Sequence, residues 1–172
     1  LYYGSPNGDA STIITTFPFR KPGVFGRRGT NQSRTIMQSI PVGAADFWVE
    51  RLNARGIEAT KLTRFGADRV AFAHPCGILH ELVESDGDSR EPITNEKQGI
   101  GRDHGIKGIY GGAIAVTDRT AMDDFLTIAL PLEKEADTHE GLVFRVPDAD
   151  GIVQRVEVIV DRDSPQGTWT LA

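Results

Sequence analysis

The sequence predicts an α+β protein in which two βαβββ modules follow one another and curl their mixed sheets around a cleft. Three observations predict it. A hairpin phrase centred on glycine recurs three times, a strand and a helix precede each of the last two copies, and β-rich sequence follows each helix. The predicted order is therefore a β-hairpin and then two βαβββ units.

The repeated phrase is a strand, a turn that ends in glycine, and a second strand. Its glycines are Gly8, Gly77 and Gly151, which are separated by 69 and 74 residues. Glycine adopts the positive φ of tight turns without steric cost, so we expect each of the three to lie in a hairpin turn. The strands of the two later hairpins are predicted within 70–83 and 143–160.

The first complete module is predicted to open with a strand over 35–42 and a helix over 44–55. Phe47 and Trp48, followed by apolar and long side chains one turn later, carry the spacing of one helix face. Gly56 stands where a glycine typically ends a helix.

The second module is predicted to open in the same way. A strand is expected over 108–116 and a helix over 121–126. Asp118 and Thr120 are both candidates for the helix N-cap, because a side-chain oxygen there satisfies an unpaired backbone N–H. The β-rich stretch 141–160 then completes the module.

The predicted division has five parts, of which the first is the remnant of a preceding module. Because isolated hairpins are marginal, we expect this remnant to pack on the other modules or on a second chain. The parts are a hairpin at 1–19, a connector at 20–34, a module at 35–84, a linker at 85–107 and a module at 108–172.

The ends and the connector carry two further signals. The chain starts at Leu1 inside strand-like sequence, which favours an internal piece of a longer protein over a processed chain. The connector holds a basic cluster that typically marks a solvated loop, with anion binding as the alternative. Its members are Arg20, Lys21, Arg27, Arg28 and Arg34.

Composition excludes several classes of function. The net charge is −5 and the pI about 5.4, which argues against nucleic acid or a membrane surface as partner. No apolar run approaches the roughly 20 residues of a membrane span. The single cysteine, Cys76, allows no intrachain disulfide, favours a reducing, cytoplasmic setting, and has no base placed beside it that would make it a nucleophile.

Several stretches together resemble the ring-cleaving dioxygenases of the vicinal-oxygen-chelate (glyoxalase/bleomycin-resistance) superfamily, and the hydroquinone-type subgroup in particular. They are LYYGSPNGDASTIITTFPF, RRGTNQSRTIMQSIPVGAADFWVERL, HPCGILHELVE, HGIKGIYGGAIAVTDRTAMDDFL and DSPQGTWTLA. The resemblance implies four modules per chain, a homo-oligomer, and a dihydroxylated aromatic substrate. It also implies Fe(II) or a similar divalent ion held by two histidines and one carboxylate, with positions left open for substrate and dioxygen.

The resemblance also says where ligands should lie: a histidine on the first strand of a module and a glutamate on the last. The first strands, at 36–39 and 109–112, hold no histidine, and Tyr110 or Gly111 occupies the place where a pair of histidines often stands in the family. The last strands keep their acids, Glu81 and Glu157. Glu81, Glu157 and Tyr110 are the candidates for lining the cleft, and no catalytic residue is assigned.

Strand alternation puts Glu81 and His80 on opposite faces, so the two cannot bind one metal from a regular strand. A carboxylate without imidazole partners makes a weak transition-metal site. We therefore expect Glu81 to pair with an arginine or another donor and this chain to bind no metal, with Glu81 as its only weak candidate ligand. The remaining histidines, His74, His104 and His139, are expected at the surface.

Three functions remain open. The first is a ring-cleaving non-haem Fe(II) dioxygenase in which this chain is the metal-free structural pair of modules, the metal being held by the first and fourth modules outside it. The second is a stand-alone small-molecule binder of the bleomycin-resistance type. A metal enzyme of the glyoxalase or epimerase type is disfavoured, because its site also needs imidazoles.

Overall fold

The computed structural model describes residues 1–16, 27–75, 77–147 and 151–168. Cys76 and residues 20–26 of the predicted connector, which include Arg20 and Lys21, therefore lie outside the described residues. No helix within the described ranges is long and apolar enough to cross a membrane.

The chain begins with a short antiparallel hairpin of strands β1 (Tyr2–Tyr3) and β2 (Ile14–Thr15). Ser11, in the connection between them, anchors the hairpin to the rest of the molecule. Its carbonyl oxygen accepts hydrogen bonds from the Ile109 amide at 2.7 Å and from Arg90 Nη1 at 3.1 Å. The expectation that this hairpin packs on the other modules is therefore confirmed.

The first module contains four strands and one helix, in the predicted order. Its opening strand starts earlier than predicted, and its helix ends close to the expected place, with Gly56 at a φ of 75° just beyond it. The elements are β3 (Gln32–Ile40), α1 (Ala45–Asn53), β4 (Ala59–Arg64), β5 (Ala67–Ala73) and β6 (Leu79–Glu84).

The second module repeats this order after a linker that contains one 3-10 turn, Glu96–Gln98. Asp118 caps its helix by accepting a hydrogen bond from the Ala121 amide at 3.0 Å, and the helix then continues as a π-turn over Phe125–Ala129. The elements are β7 (Gly108–Val116), α2 (Arg119–Asp124), β8 (Glu133–Thr138), β9 (Gly141–Arg145) and β10 (Arg155–Val160).

The two modules share one mixed sheet of eight strands in the order β4-β5-β6-β3-β7-β10-β9-β8. The two opening strands, β3 and β7, pair antiparallel at its centre, with Thr35 opposite Ala113 and Met37 opposite Gly111. Each opening strand also runs parallel to the closing strand of its own module. The prediction that the stretches led by Ile36 and Ile109 are equivalent opening strands is confirmed.

One face of the sheet, the helix-side face, carries two apolar clusters under the helices. Burial of such side chains is the main favourable term in folding and keeps each helix on its module. The cluster under α1 includes Ile40, Trp48, Leu52, Val70 and Leu82, and the cluster under α2 includes Val116, Leu126, Leu142, Phe144 and Val158.

The other face is concave and closes on itself. The β4–β5 and β8–β9 hairpins lie at opposite ends of the strand order, yet the Phe65 amide donates a hydrogen bond to Glu140 Oε2 at 3.1 Å. The sheet is therefore curled strongly enough to bring its two ends together over the concave face.

The three glycines of the repeated phrase adopt the conformation that the sequence predicts. Gly8, Gly77 and Gly151 have φ values of 68°, 91° and 76°. A residue with a Cβ atom is disfavoured at these angles, which explains why glycine recurs at each turn.

Candidate functional site

Four charged side chains meet at the centre of the concave face. Glu81 comes from β6 and Glu157 from β10, the closing strands of the two modules, while Arg69 comes from β5 and Arg64 from the end of β4. Register explains the convergence. Glu81 pairs with Met37 on one side and Ala71 on the other, so its side chain shares the face of these inward residues.

The Arg69 guanidinium lies between the two glutamates. Its Nη1 is 3.0 Å from Glu81 Oε2 and 3.0 Å from Glu157 Oε2, and its Nη2 is 2.6 Å from Glu157 Oε1. Arg69 therefore holds Glu157 through two parallel hydrogen bonds and Glu81 through one. Arg64 adds a second bridge, with Nη2 at 2.6 Å from Glu81 Oε2 and 3.1 Å from Glu157 Oε2.

The cluster is buried and electrically neutral, with two guanidinium groups and two carboxylates. Arg69 and Glu157 are 0% exposed and Glu81 is 5% exposed. Burial alone would lower the pKa of Arg69, but hydrogen bonds and charge from Glu157 and then Glu81 raise it overall. Arg69 is thus a permanent buried cation, and each carboxylate would be costly without it.

Tyr110 lies beside this cluster, packed with Met37 and Val83. Its Oη accepts a hydrogen bond from Arg155 Nη1 at 3.0 Å, and Arg155 Nη2 donates to Glu135 at 3.2 Å. Burial raises the pKa of Tyr110, although Arg155 counteracts part of that shift. The phenol is therefore uncharged at neutral pH.

A cleft of about 360 Å³ remains open next to Tyr110 and Arg155. Its wall is mixed, with carboxylates and one arginine, and Arg155 is already bound to Glu135 and Tyr110. The other lining residues include Val42, Phe65, Asp68, Glu84, Ser85 and Asp86.

Comparison with known proteins gives a consistent set of relatives, although no protein-family model matches the chain. The chain is 30% identical over 175 residues to the chlorohydroquinone/hydroquinone 1,2-dioxygenase of Sphingobium indicum, covering 99% of this chain and 53% of that protein. The crystal structure of a putative dioxygenase from Bacillus subtilis superimposes on this chain with a TM-score of 0.79 at 28% identity. The match covers 96% of this chain and 52% of the other. The chain belongs to the vicinal-oxygen-chelate superfamily.

The fold likeness extends across this superfamily. Glyoxalase I from Zea mays superimposes with a TM-score of 0.54 at 13% identity, over 86% of this chain and 49% of the other, which supports the fold alone. Two further relatives, both from Bacillus subtilis, are named putative ring-cleaving dioxygenases. The chain spans about half the length of the curated relatives it matches.

The structure brings the three cleft candidates of this vicinal-oxygen-chelate chain together. Glu81, Glu157 and Tyr110 all lie on the concave face. The two glutamates share Arg69, whereas Tyr110 is hydrogen-bonded separately to Arg155. The expectation that an arginine or another donor pairs with Glu81 is confirmed, but neither Arg64 nor Arg69 was identified as that donor. The one signal in the sequence was that Arg69 is a charged residue at an inward position of β5. Its role depends on contact with Glu157 of β10, a strand far along the chain.

The histidines lie away from this cluster. His80 stacks on Phe72 on the helix-side face, with ring centroids 5.5 Å apart, while the neighbouring Glu81 points to the concave face. His74 and His139 are exposed. The expectation of a surface position is wrong for His104, which is half-buried and stacks on Phe47 at 3.9 Å because the linker folds over α1.

The cleft residues do not fit an iron ion of the two-histidine, one-carboxylate kind. Within the ranges that the structure describes, no three His, Cys, Asp or Glu side chains are arranged to hold a metal. The cleft offers Glu81 and Glu157 without imidazoles, and both carboxylates are already bound to guanidinium groups. A divalent ion placed between them would meet the repulsion of two buried cations.

Proposed function

We propose that this chain is the structural, metal-free pair of modules of a ring-cleaving dioxygenase that acts on hydroquinones. Two kinds of support carry the proposal. The relatives that match the chain are named for ring cleavage, and one of them is named for hydroquinone and chlorohydroquinone. The centre of the chain's own cleft is filled by Arg69, whose guanidinium holds both last-strand glutamates.

The filled cleft is the observation on which the structural role rests. A ring-cleaving site of this superfamily must leave metal positions open for two substrate oxygens and for dioxygen. Arg69, at 0% exposure, leaves no such space between Glu81 and Glu157. The same crowding disfavours the alternative of a small-molecule binder that holds its ligand between Glu81 and Glu157.

In the proposed complete protein, Fe(II) or a similar divalent ion is held by the first and fourth modules, and residues 35–84 and 108–172 are the second and third. The β1–β2 hairpin then belongs to the first module. The protein degrades aromatic compounds, works in the cytoplasm and assembles as a homo-oligomer, with a dimer as the simplest case. The net charge of −5 is in keeping with a small-molecule substrate. It argues against nucleic acid or a membrane surface as a partner.

The test compares the 172-residue chain with the complete translation product of its reading frame, both purified and supplied with Fe(II). We expect oxygen uptake with hydroquinone from the complete product alone, and no stoichiometric iron in the 172-residue chain. Ring cleavage by the chain itself, or iron lost on changing Glu81→Gln, would refute the structural role. Absence of oxygen uptake by the complete product would refute the dioxygenase.

A further inference from the structure

A second cavity lies on the helix-side face of the sheet, away from the charged cluster. It measures about 350 Å³ and lies between the β1–β2 hairpin and the part of the first module that α1 leaves uncovered. Its apolar walls are formed by Tyr3 and Ile14 of the hairpin and by Ile36, Phe72 and Ile78 of the module. Small-molecule sites are commonly concave, apolar spaces of this size.

Two polar side chains that face this cavity have no hydrogen-bond partner in the part of the chain that the structure describes. Gln38 and His80 both line it, and no hydrogen bond joins either side chain to another described residue. Gln38 also lines a neighbouring cavity of about 270 Å³ under the same hairpin. Both side chains are half-buried and line the same apolar space, so a molecule held there can form a hydrogen bond with each of them.

The lining also specifies the chemistry of that molecule. Among the described residues that line the cavity there is no Asp, Glu, Lys or Arg. Burial, and then the charge of His74, lower the pKa of His80, so its ring is neutral and offers one donor and one acceptor. An uncharged ligand fits such walls, since a charged one would lose its hydration and could meet a counter-charge only at His74, which is exposed to solvent.

The aromatic residues add a preference for shape. The His80 ring is stacked on Phe72 with an interplanar angle of 21°, and Tyr3 belongs to the opposite wall, which the hairpin provides. A flat ring between these two walls gains stacking contacts in addition to apolar burial.

We propose that this cavity binds a small uncharged aromatic compound that carries a hydroxyl group. The ring lies between Phe72 and Tyr3, and the hydroxyl group donates a hydrogen bond to one of His80 and Gln38 and accepts one from the other. This site is on the opposite face of the sheet from the Arg69 cluster, and it does not depend on the proposed dioxygenase function.

The test titrates the 172-residue chain with three probes while its NMR spectrum is followed. The probes are phenol, toluene and benzoate, which share one ring and differ in hydroxyl group and charge. We expect saturable shifts of the Gln38 side-chain amide and the His80 ring with phenol, at a dissociation constant on the order of 0.1 to 1 mM for a ligand of this size. Toluene should bind about tenfold more weakly, and benzoate should cause no saturable shift.

Two variants and a matched control separate the polar groups from the rest of the cavity. His80→Phe keeps an aromatic ring and Gln38→Met keeps the side-chain length, and each should weaken phenol binding at least about fivefold, the loss expected for one hydrogen bond. His139→Phe makes the same exchange as the first variant at an exposed position and should leave binding unchanged.

Three results would overturn the site. They are the absence of saturable phenol shifts in the unmodified chain, equal binding of phenol and toluene, and equal loss of binding in His80→Phe and His139→Phe. The first two need no variant, so a variant that fails to fold does not rescue the proposal.

Discussion

The two modules have the same topology and place a glutamate at the same point, but they differ in what lies opposite it. Glu81 pairs with Ala71, and two residues before Ala71 the first module has Arg69. Glu157 pairs with Val143, and two residues before Val143 the second module has Gly141. One module thus supplies a cation and the other supplies none from this position.

Gly141 cannot be replaced by a second arginine without moving the backbone. Its φ is 142°, and a Cβ atom there would lie 2.1 Å from the carbonyl oxygen of Val158. The Phe65 ring also comes within 3.5 Å of that point as the sheet curls. The asymmetry teaches that the central cation must be shared, so Arg69 ties the closing strands of both modules together.

The strongest test of this sharing is to remove the common cation. Arg69→Ala leaves two buried carboxylates with Arg64 alone, and we expect a loss of about 3 to 5 kcal/mol in unfolding free energy, measured by urea denaturation. Arg145→Ala removes an arginine whose side chain is 51% exposed and pairs with Glu133, and should cost less than about 1 kcal/mol. Equal losses of unfolding free energy in the two variants would show that Arg69 does not hold the two closing strands together.

A smaller effect should distinguish the two glutamates. Glu157→Gln breaks a two-point contact with Arg69, whereas Glu81→Gln breaks a one-point contact. We expect losses on the order of 3 kcal/mol and 2 kcal/mol respectively, because hydrogen bonds to buried charges are worth about 1.5 to 3 kcal/mol each. A larger loss of unfolding free energy for Glu81→Gln than for Glu157→Gln would contradict the two-point contact between Arg69 and Glu157.

The helix starts of the two modules differ in a similar way. The amide of Ala45 at the start of α1 donates to Glu84 Oε1 of β6 at 2.8 Å, while α2 is capped locally by Asp118. Asp118→Ala should cost about 1 kcal/mol, the usual value of an N-cap. Asp124→Ala, in the last turn of the same helix, serves as the matched control and should change the unfolding free energy by a few tenths at most.

The smallest expected effect concerns Tyr110 and pH. Its pKa is raised above 10.0, so the folded protein keeps the phenol proton to higher pH than the unfolded chain does. The corresponding stability is present below about pH 10 and is lost as pH rises through the folded pKa. Tyr110→Phe should flatten that alkaline decline in urea unfolding.

A difference absorbance titration checks the same point directly. The tyrosinate signal that Tyr110→Phe removes should have its midpoint above 10.0, and Tyr2→Phe, at a residue that is 79% exposed, controls for the loss of one tyrosine. A midpoint for Tyr110 at or below 10.0 would mean that burial does not control its titration.

Much of the fold follows from local patterns in the sequence. The glycine turns at Gly8, Gly77 and Gly151, the strand over 108–116 and the Asp118 cap depend on residues within a few positions of each other. Strand alternation, a property of the extended backbone, is enough to put Glu81 and His80 on opposite faces.

The composition of the candidate site could be predicted only in part. Glu81, Glu157 and Tyr110 were identifiable from their places on the first and last strands of each module. Their actual partners were not, because Arg69 reaches a glutamate 88 residues away and Arg64 reaches the same one across 93. Such contacts exist only after β3 and β7 have paired and the sheet has curled.

The sequence by itself determined the two modules, their turns and the opposite faces of Glu81 and His80, because these depend on periodicity and on the conformational freedom of single residues. Only the tertiary structure decided that one guanidinium occupies the space between the glutamates, that Glu84 caps α1, and that His80 and Gln38 face an apolar cavity. The physical reason is that burial and charge pairing are properties of surfaces brought together from distant parts of the chain.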